Sequence, residues 1–231
     1  TSNGPYIYDR TQDNFISFSE YTGKDFRSIF TNNRTTDLLF DQNTIWIATL
    51  NGLFSFKDKK LKKYIKGNFE NSIISNDVFK FIKHSDTEYW IATLNGLSKF
   101  NPKNESFDNY TNENDQISNN SVLTVFKSKD QTIWIGTGTG LNKYIRENNS
   151  FKYYTSQSHG FKNDFIYTIT EDSEGNLWLS TNRGITMFNP NTQEVFNFGE
   201  EDNLQGYEFN IGAVYQNSKG EIFWGGTSGL N

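Results

Sequence analysis

The chain of 231 residues sets 22 Lys and Arg against 27 Asp and Glu, a net charge of −5, which leaves no general basic field for a nucleic-acid partner. It has no Cys, so disulfides, thiolate metal sites and thiol nucleophiles are excluded, and this usage fits the cytosol and the bacterial periplasm equally. Apolar residues reach only 34% while aromatics reach 16%, so the core must be built from rings, and no run approaches the roughly 18 apolar residues of a membrane span.

At the start of the chain Gly4 precedes PYIYDR and FISFSE, two alternating runs that read as the third and fourth strands of a unit only partly present. A repeat then takes over. IWIATLNGL (45–53), YWIATLNGL (89–97), IWIGTGTGL (133–141), LWLSTNRGI (177–185) and IFWGGTSGL (222–230) each place an aromatic six residues before a Gly. The aromatics are Trp46, Trp90, Trp134, Trp178 and Phe223, spaced 44, 44, 44 and 45 apart, and the turn glycines run Gly4, Gly52, Gly96, Gly140, Gly184 and Gly229. A fixed period of this length dictates architecture more firmly than local propensity. It accounts for residues 1–231 as a single domain, with no linker left over.

Within the period around Trp134, SVLTVFKS (121–128), TIWIGT (132–137), LNKYIR (141–146) and SFKYYT (150–155) are four short strands separated by polar or Gly turns. Their inner members are apolar on both faces and so need a neighbour on each side, which radial stacking supplies. The expectation is an all-β fold, a β-propeller of four-stranded antiparallel blades with five repeats. Either two strands from each end complete a composite blade in a closed five-bladed ring, or the chain is an arc of a larger propeller. AVYQNS and EIFWGG supply the first and second strands at the far end. The Trp residues belong between blades. Trp224, one position out of phase, is expected on the opposite side of its sheet, toward a partner domain, with packing at the sheet edge as the alternative.

The unit runs from a polar SNN-type lead-in through an apolar strand, D-x-x-G-x-[LI]-W-[IL]-[GAS]-T and x-G-[LI]-x-[KR]-[YF] to a D/N-rich turn. Its best instance is NDFIYTITEDSEGNLWLSTNRGITMFNPNTQEVFNF (163–198). This pattern resembles the two-component regulator propeller repeat. The resemblance implies a piece of the periplasmic sensor region of a Bacteroidetes-type hybrid two-component histidine kinase. In that family two seven-bladed propellers, a β-sandwich, a membrane helix and a kinase follow one another, and the outer part senses glycans. It also implies adjacent propeller and β-sandwich domains and a second copy, in a homodimer, as partners, with no cofactor. LQGYEFNIGAVYQNSKGEIFWGGTSGLN (204–231) is similar to the final blade of such arrays, although five repeats are too few for two seven-bladed rings.

Catalytic chemistry is sparse. The two histidines, His84 and His159, fall in expected turns or loops between blades, so neither Ser activation nor a zinc site is indicated. EDSEGN (171–176) reads as a hairpin turn rather than a calcium loop. Asp37, Asp77 and Asp164 begin inner strands, and a pair of them across the ring mouth is what a propeller glycoside hydrolase or lyase needs. A binding site is easier to place. Loops from fourth to first strands and from second to third strands gather on one face, bringing Asn76, Asp77, Asn119, Asn120, Asn163, Asp164, Glu208 and Asn210 beside the turn residues Asn51, Asn95, Thr139 and Arg183. With Phe165, Tyr167, Tyr207 and Phe209 they offer the hydrogen-bonding groups and flat rings that an oligosaccharide requires. The candidate contacts are Arg183, Asn120, Asp164, Tyr167, Asn210 and Asn95. Arg183 leads, because its charge serves no purpose in a turn. Against this, Asn51-Gly52 and Asn95-Gly96 suit a type I′ hairpin on conformation alone, and the SNN lead-ins can serve backbone groups. A scaffold with no small ligand is the third reading.

Overall fold

The apolar runs on either side of each turn Gly become strands that pair with their sequence neighbours. A computed structural model describes residues 4–30, 33–68, 71–113 and 116–231. The first blade is β3 (Thr35–Asp41), β4 (Thr44–Thr49), β5 (Gly52–Lys57) and β6 (Lys60–Tyr64), preceded by the pair β1 (Tyr6–Asp9) and β2 (Asn14–Ser17). The second is β7 (Val78–Ser85), β8 (Glu88–Thr93), β9 (Gly96–Asn101) and β10 (Ser106–Tyr110). The third is β11 (Val122–Lys127), β12 (Ile133–Thr137), β13 (Gly140–Ile145) and β14 (Ser150–Tyr154). The fourth is β15 (Ile166–Glu171), β16 (Leu177–Thr181), β17 (Gly184–Phe188) and β18 (Val195–Phe198), and the fifth is β19 (Phe209–Gln216), β20 (Ile222–Gly226) and β21 (Gly229–Leu230). Every sheet is an antiparallel meander, and β3, β7, β11, β15 and β19 lie side by side around a common axis. The molecule is an all-β propeller, as the repeat dictates.

Short helical turns occupy some connections, namely α1 (Phe18–Thr22), α2 (Arg27–Phe30) and α3 (Ser156–His159). The expected strand FISFSE is therefore cut short: β2 ends at Ser17, whose hydroxyl accepts from Glu20 N and caps α1. Phe18, Phe26 and Phe30 then fold over Ile47 and Phe54 of the first blade.

Each strand-two Trp joins its blade to the next. Trp46 lies 5.5 Å from Phe81 and 5.7 Å from both Tyr89 and Phe100, Trp90 lies 4.7 Å from Tyr144, and Trp134 lies 6.3 Å from Phe188. Aromatic pairs of this kind contribute about 0.5–1.5 kcal/mol beyond their buried area. Trp224 corrects the expectation of a partner domain. Because side chains alternate along a strand, its one-residue slip turns it back onto the fourth blade, 6.1 Å from Trp178 and 6% exposed. Phe223 holds the Trp phase instead and stacks with Tyr215, which is 65% exposed.

Among the described residues the two ends are not joined by a ladder into a composite blade: β20 lies between β19 and β21, and β1–β2 form a separate sheet. The first blade shows the consequence. Leu38 is 39% exposed, whereas Phe81, Val125 and Ile169, at the same register in the next three blades, are 3%, 1% and 4% exposed.

Every inner strand opens with a β-bulge. The register shifts between Thr35 and Asp37, Val78 and Lys80, Val122 and Thr124, and Ile166 and Thr168, and in the fifth blade the irregularity widens to run from Phe209 to Val214. A bulge re-aims the extra side chain. Here those residues are Thr36, Phe79, Leu123, Tyr167 and the stretch 210–213.

Candidate ligand-binding face

The turn from second to third strand is built the same way in four blades. A buried Thr hydroxyl, in Thr49, Thr93, Thr137 and Thr181, donates to the carbonyl of the turn Gly at 2.7, 2.7, 3.0 and 2.9 Å. It also accepts from the backbone N of Asn51, Asn95, Thr139 or Arg183. Glycine is obligatory here: at Gly140 φ is +133°, and a Cβ would stand 2.7 Å from the Tyr154 carbonyl oxygen. These turns bond to the lead-in loops, with Gly52 N donating to Asn76 O at 2.7 Å and Gly184 N to Tyr207 O at 2.9 Å. Turns and lead-ins therefore form one loop face around the axis.

The lead-in residues at a 44-residue spacing have a shared task. Asn76 Oδ1 accepts from Lys66 N and Asn120 Oδ1 from Asn112 N, both at 2.8 Å, and Asp164 accepts from Ser156 N through Oδ1 and Ser156 Oγ through Oδ2. Each side chain clasps the start of its own loop. Asn119 and Asn163 tie Ser121 N and Phe165 N in the manner of Asx turns. Asn95 is partly engaged as well, through Nδ2 to Ser75 Oγ at 3.2 Å. Of the six candidate contacts, Asn120 and Asp164 thus hold the frame.

The other three lie on the fourth and fifth blades: Tyr167 and Asn210 in the bulged starts of β15 and β19, and Arg183 in the turn after β16. Tyr167, on its bulge, donates its hydroxyl to Asn182 Oδ1 beside Arg183, and its ring lies 5.0 Å from Phe165. Burial raises the Tyr167 pKa, and the negative charge of Glu208 adds to this. Arg183 is exposed, Asn210 is exposed on the widened bulge, and Tyr207 is 40% exposed with Lys162 Nζ 5.8 Å from its ring centre. Across the axis a cavity of about 140 Å³ is lined by Arg34, Thr36, Phe79, Lys80, Ile211 and Gly212, among others. The sequence reading missed these residues, because a bulge leaves no mark in an alternation pattern.

The acidic residues considered for hydrolysis are otherwise occupied in two of three cases. Asp37 pairs with Lys80 at 3.2 Å and accepts from Phe81 N at 3.1 Å, and Asp164 is tied to Ser156. EDSEGN is the expected hairpin turn: Asp172 accepts from Glu174 N, Asn176 N and Trp178 Nε1. His84 departs from expectation, since it lies on β7 with its ring beside Arg146 Nη2 at 3.0 Å, and burial lowers its pKa. It sits there because β7 runs to eight residues, longer than the other inner strands of complete blades.

Residues 116–139 and 160–183, each covering a lead-in loop, the first two strands and the turn, match the two-component regulator propeller family. The matched segments lie in the third and fourth blades. No curated protein sequence matches it significantly. Among solved structures, the whole chain overlays 31% of an extracellular domain assigned to a hybrid two-component system, BT3049 of B. thetaiotaomicron, with 23% identity and a TM-score of 0.85. It also overlays, over 99% of its length, 29% of the corresponding domain of BT4673 from the same organism, with 18% identity and a TM-score of 0.74. An ancestral GH74 enzyme matches 83% of the propeller at 16% identity and a TM-score of 0.62. The propeller spans less than a third of the length of each of these proteins. No helix of the described residues is long and apolar enough to cross a membrane.

Proposed function

We propose that this propeller is a segment of the periplasmic sensor region of a membrane-anchored hybrid two-component histidine kinase, and that it takes part in oligosaccharide sensing without catalysing a reaction. The observation that supports this best is that both matched repeats fall on the strands and loops of the loop face, within a chain that overlays 31% of an extracellular domain assigned to a hybrid two-component system. Arg183, Tyr167 and Asn210 are the contacts, with Tyr207 and Phe165 as flat apolar surfaces for sugar C–H groups and Asn95 at the turn of the second blade. Adjacent propeller and β-sandwich domains and a second protomer are the partners, and ligand acts by changing their relative positions, since packed blades bend little.

The test is calorimetric titration with a panel of neutral and acidic oligosaccharides, alongside product analysis. One member is expected to bind and to remain intact, and Arg183→Ala and Asn210→Ala each to weaken it about tenfold at an unchanged melting temperature. Absence of binding across the panel would favour a scaffold, and cleavage of the bound sugar would favour a hydrolase or lyase.

A further inference from the structure

The opposite face, formed by the turns from first to second and third to fourth strands, carries a second cavity. It has a volume of about 500 Å³ and opens between the first and second blades, floored by Trp46, Tyr64 and Tyr89 and rimmed by Lys57, Lys60, Lys62 and Lys103. Comparison with the next cleft explains why it is open. Between the second and third blades, Glu88 accepts from Trp90 Nε1 at 2.8 Å and receives both Nη atoms of Arg146, while Lys99 Nζ lies 5.9 Å from the centre of the Trp90 ring. These three side chains cover the Trp90 ring, and the cavity of about 340 Å³ that remains beside Arg146 and His84 does not reach it. At the same repeat positions the first cleft has Thr44 for Glu88, Pro102 for Arg146 and Ser55 for Lys99, Ser55 standing opposite Trp46 as Lys99 stands opposite Trp90.

The substitutions leave a chemical deficit as well as a space. Trp46 is 5% exposed, and its indole N–H is buried with no acceptor, whereas Trp90 and Trp178 donate to Glu88 and Asp172. A buried donor left unpaired costs about 1–3 kcal/mol. The carboxylates around the cavity are already committed, Asp41 to Lys83 and Tyr89, Asp86 to Lys83, and Glu105 to Lys62. Lys57, Lys60 and Lys103 form no salt bridge among the described residues, so the rim carries an excess of positive charge.

From these observations we propose that the cleft between the first and second blades binds an organic carboxylate carried on a small ring, the ligand taking the place that Glu88 fills in the next cleft. The ring lies over the half-buried Tyr64 and the edges of Trp46 and Tyr89 that reach the cavity, and the carboxylate meets the lysines and the Trp46 N–H. That nitrogen is closed off from solvent, so the ligand oxygen reaches it only when the side chains that cover it move aside. An aromatic acid and the uronate ring of an acidic saccharide share this chemistry.

Calorimetry and Trp fluorescence with trigalacturonate, benzoate and uncharged maltotriose test the proposal. Either acid is expected to bind, the tighter naming the source, and maltotriose to bind at least about tenfold more weakly. Thr44→Glu, which supplies the carboxylate internally, and a Lys57→Ala/Lys103→Ala double variant are each expected to weaken the acid about tenfold or more while the melting temperature is kept. Arg183→Ala, on the loop face, should leave it unchanged, so the two sites fail separately. Lack of binding of both acids at millimolar concentration, equal binding of maltotriose, or affinity that survives both variants would overturn it.

Discussion

Arg146, the first residue after the third strand of its blade, closes a fork on Glu88 of the preceding blade, Nη1 lying 2.8 Å from Oε2 and Nη2 2.7 Å from Oε1. Burial works against ionisation of Glu88, but the guanidinium and the Trp90 indole outweigh it and hold the carboxyl below the usual range. Glu88→Gln is expected to lower stability by about 1–3 kcal/mol at neutral pH. Because the folded pKa is depressed, this contribution is present above the unfolded value of about 4.3 and is lost as pH falls through the folded value. Urea denaturation of both proteins at neutral and acidic pH should show the gap closing on the acid side.

His84 responds to pH over a higher range. Burial lowers its pKa, the nearby Glu88 opposes this, and Arg146 and Lys127 reinforce it. As pH falls below about 6.5 the unfolded chain takes up a proton that the folded chain refuses, so stability declines until the folded imidazole also titrates. Melting temperatures measured across this range should fall in the parent protein and stay flatter in His84→Gln.

Thr137 shows what the repeated turn is worth. It is fully buried, donates to Gly140 O at 3.0 Å and accepts from Thr139 N at 3.2 Å. Thr137→Val keeps the shape, strands the Thr139 N–H, removes the Ser118 hydroxyl's partner and leaves Gly140 O with the longer bond from Asn142 Nδ2, an expected loss of about 1–3 kcal/mol by urea denaturation. Gly140→Ala should cost more, since it combines a positive φ with a backbone clash.

Equivalent register positions should differ in sensitivity according to whether a neighbouring blade covers them. Ile169→Ala, at a site 4% exposed, is expected to cost about 2–5 kcal/mol. Leu38→Ala, at the matching site 39% exposed, is expected to stay within about 1 kcal/mol. Similar losses at the two sites would mean that the open face of the first blade is covered in solution.

Much of the architecture was legible because it rests on period alone. Trp46, Trp90 and Trp134, with Gly52, Gly96 and Gly140, announced strands two and three and the turn between them, and the observed strands of the third blade differ from the expected ones by a residue or so. The end of FISFSE was not legible, since a Ser cap and one helical turn prevail over alternation there. The direction of Trp224 depended on a one-residue slip whose outcome only packing decides. Among the candidate contacts, Asn120 and Asp164 have the residue types of a sugar site and the spacing of a loop clasp, and composition cannot separate the two. The cleft beneath the first blade was hidden for another reason: it arises from what Thr44, Ser55 and Pro102 lack relative to the next repeat, and a consensus averages such differences away.

The clasp made by Asn76, Asn120 and Asp164 separates two demands on each loop. One side chain anchors segments of unequal length, from Lys66 to Asn76 in one case and from Asn112 to Asn120 in another, at the same point of the frame. Apart from the buried Ile73, Ile117 and Phe161, which pack into the core between blades, residues between anchor and clasp are therefore free to diversify, by substitution or insertion, without disturbing how neighbouring sheets stack. Specificity can drift while foldability is conserved.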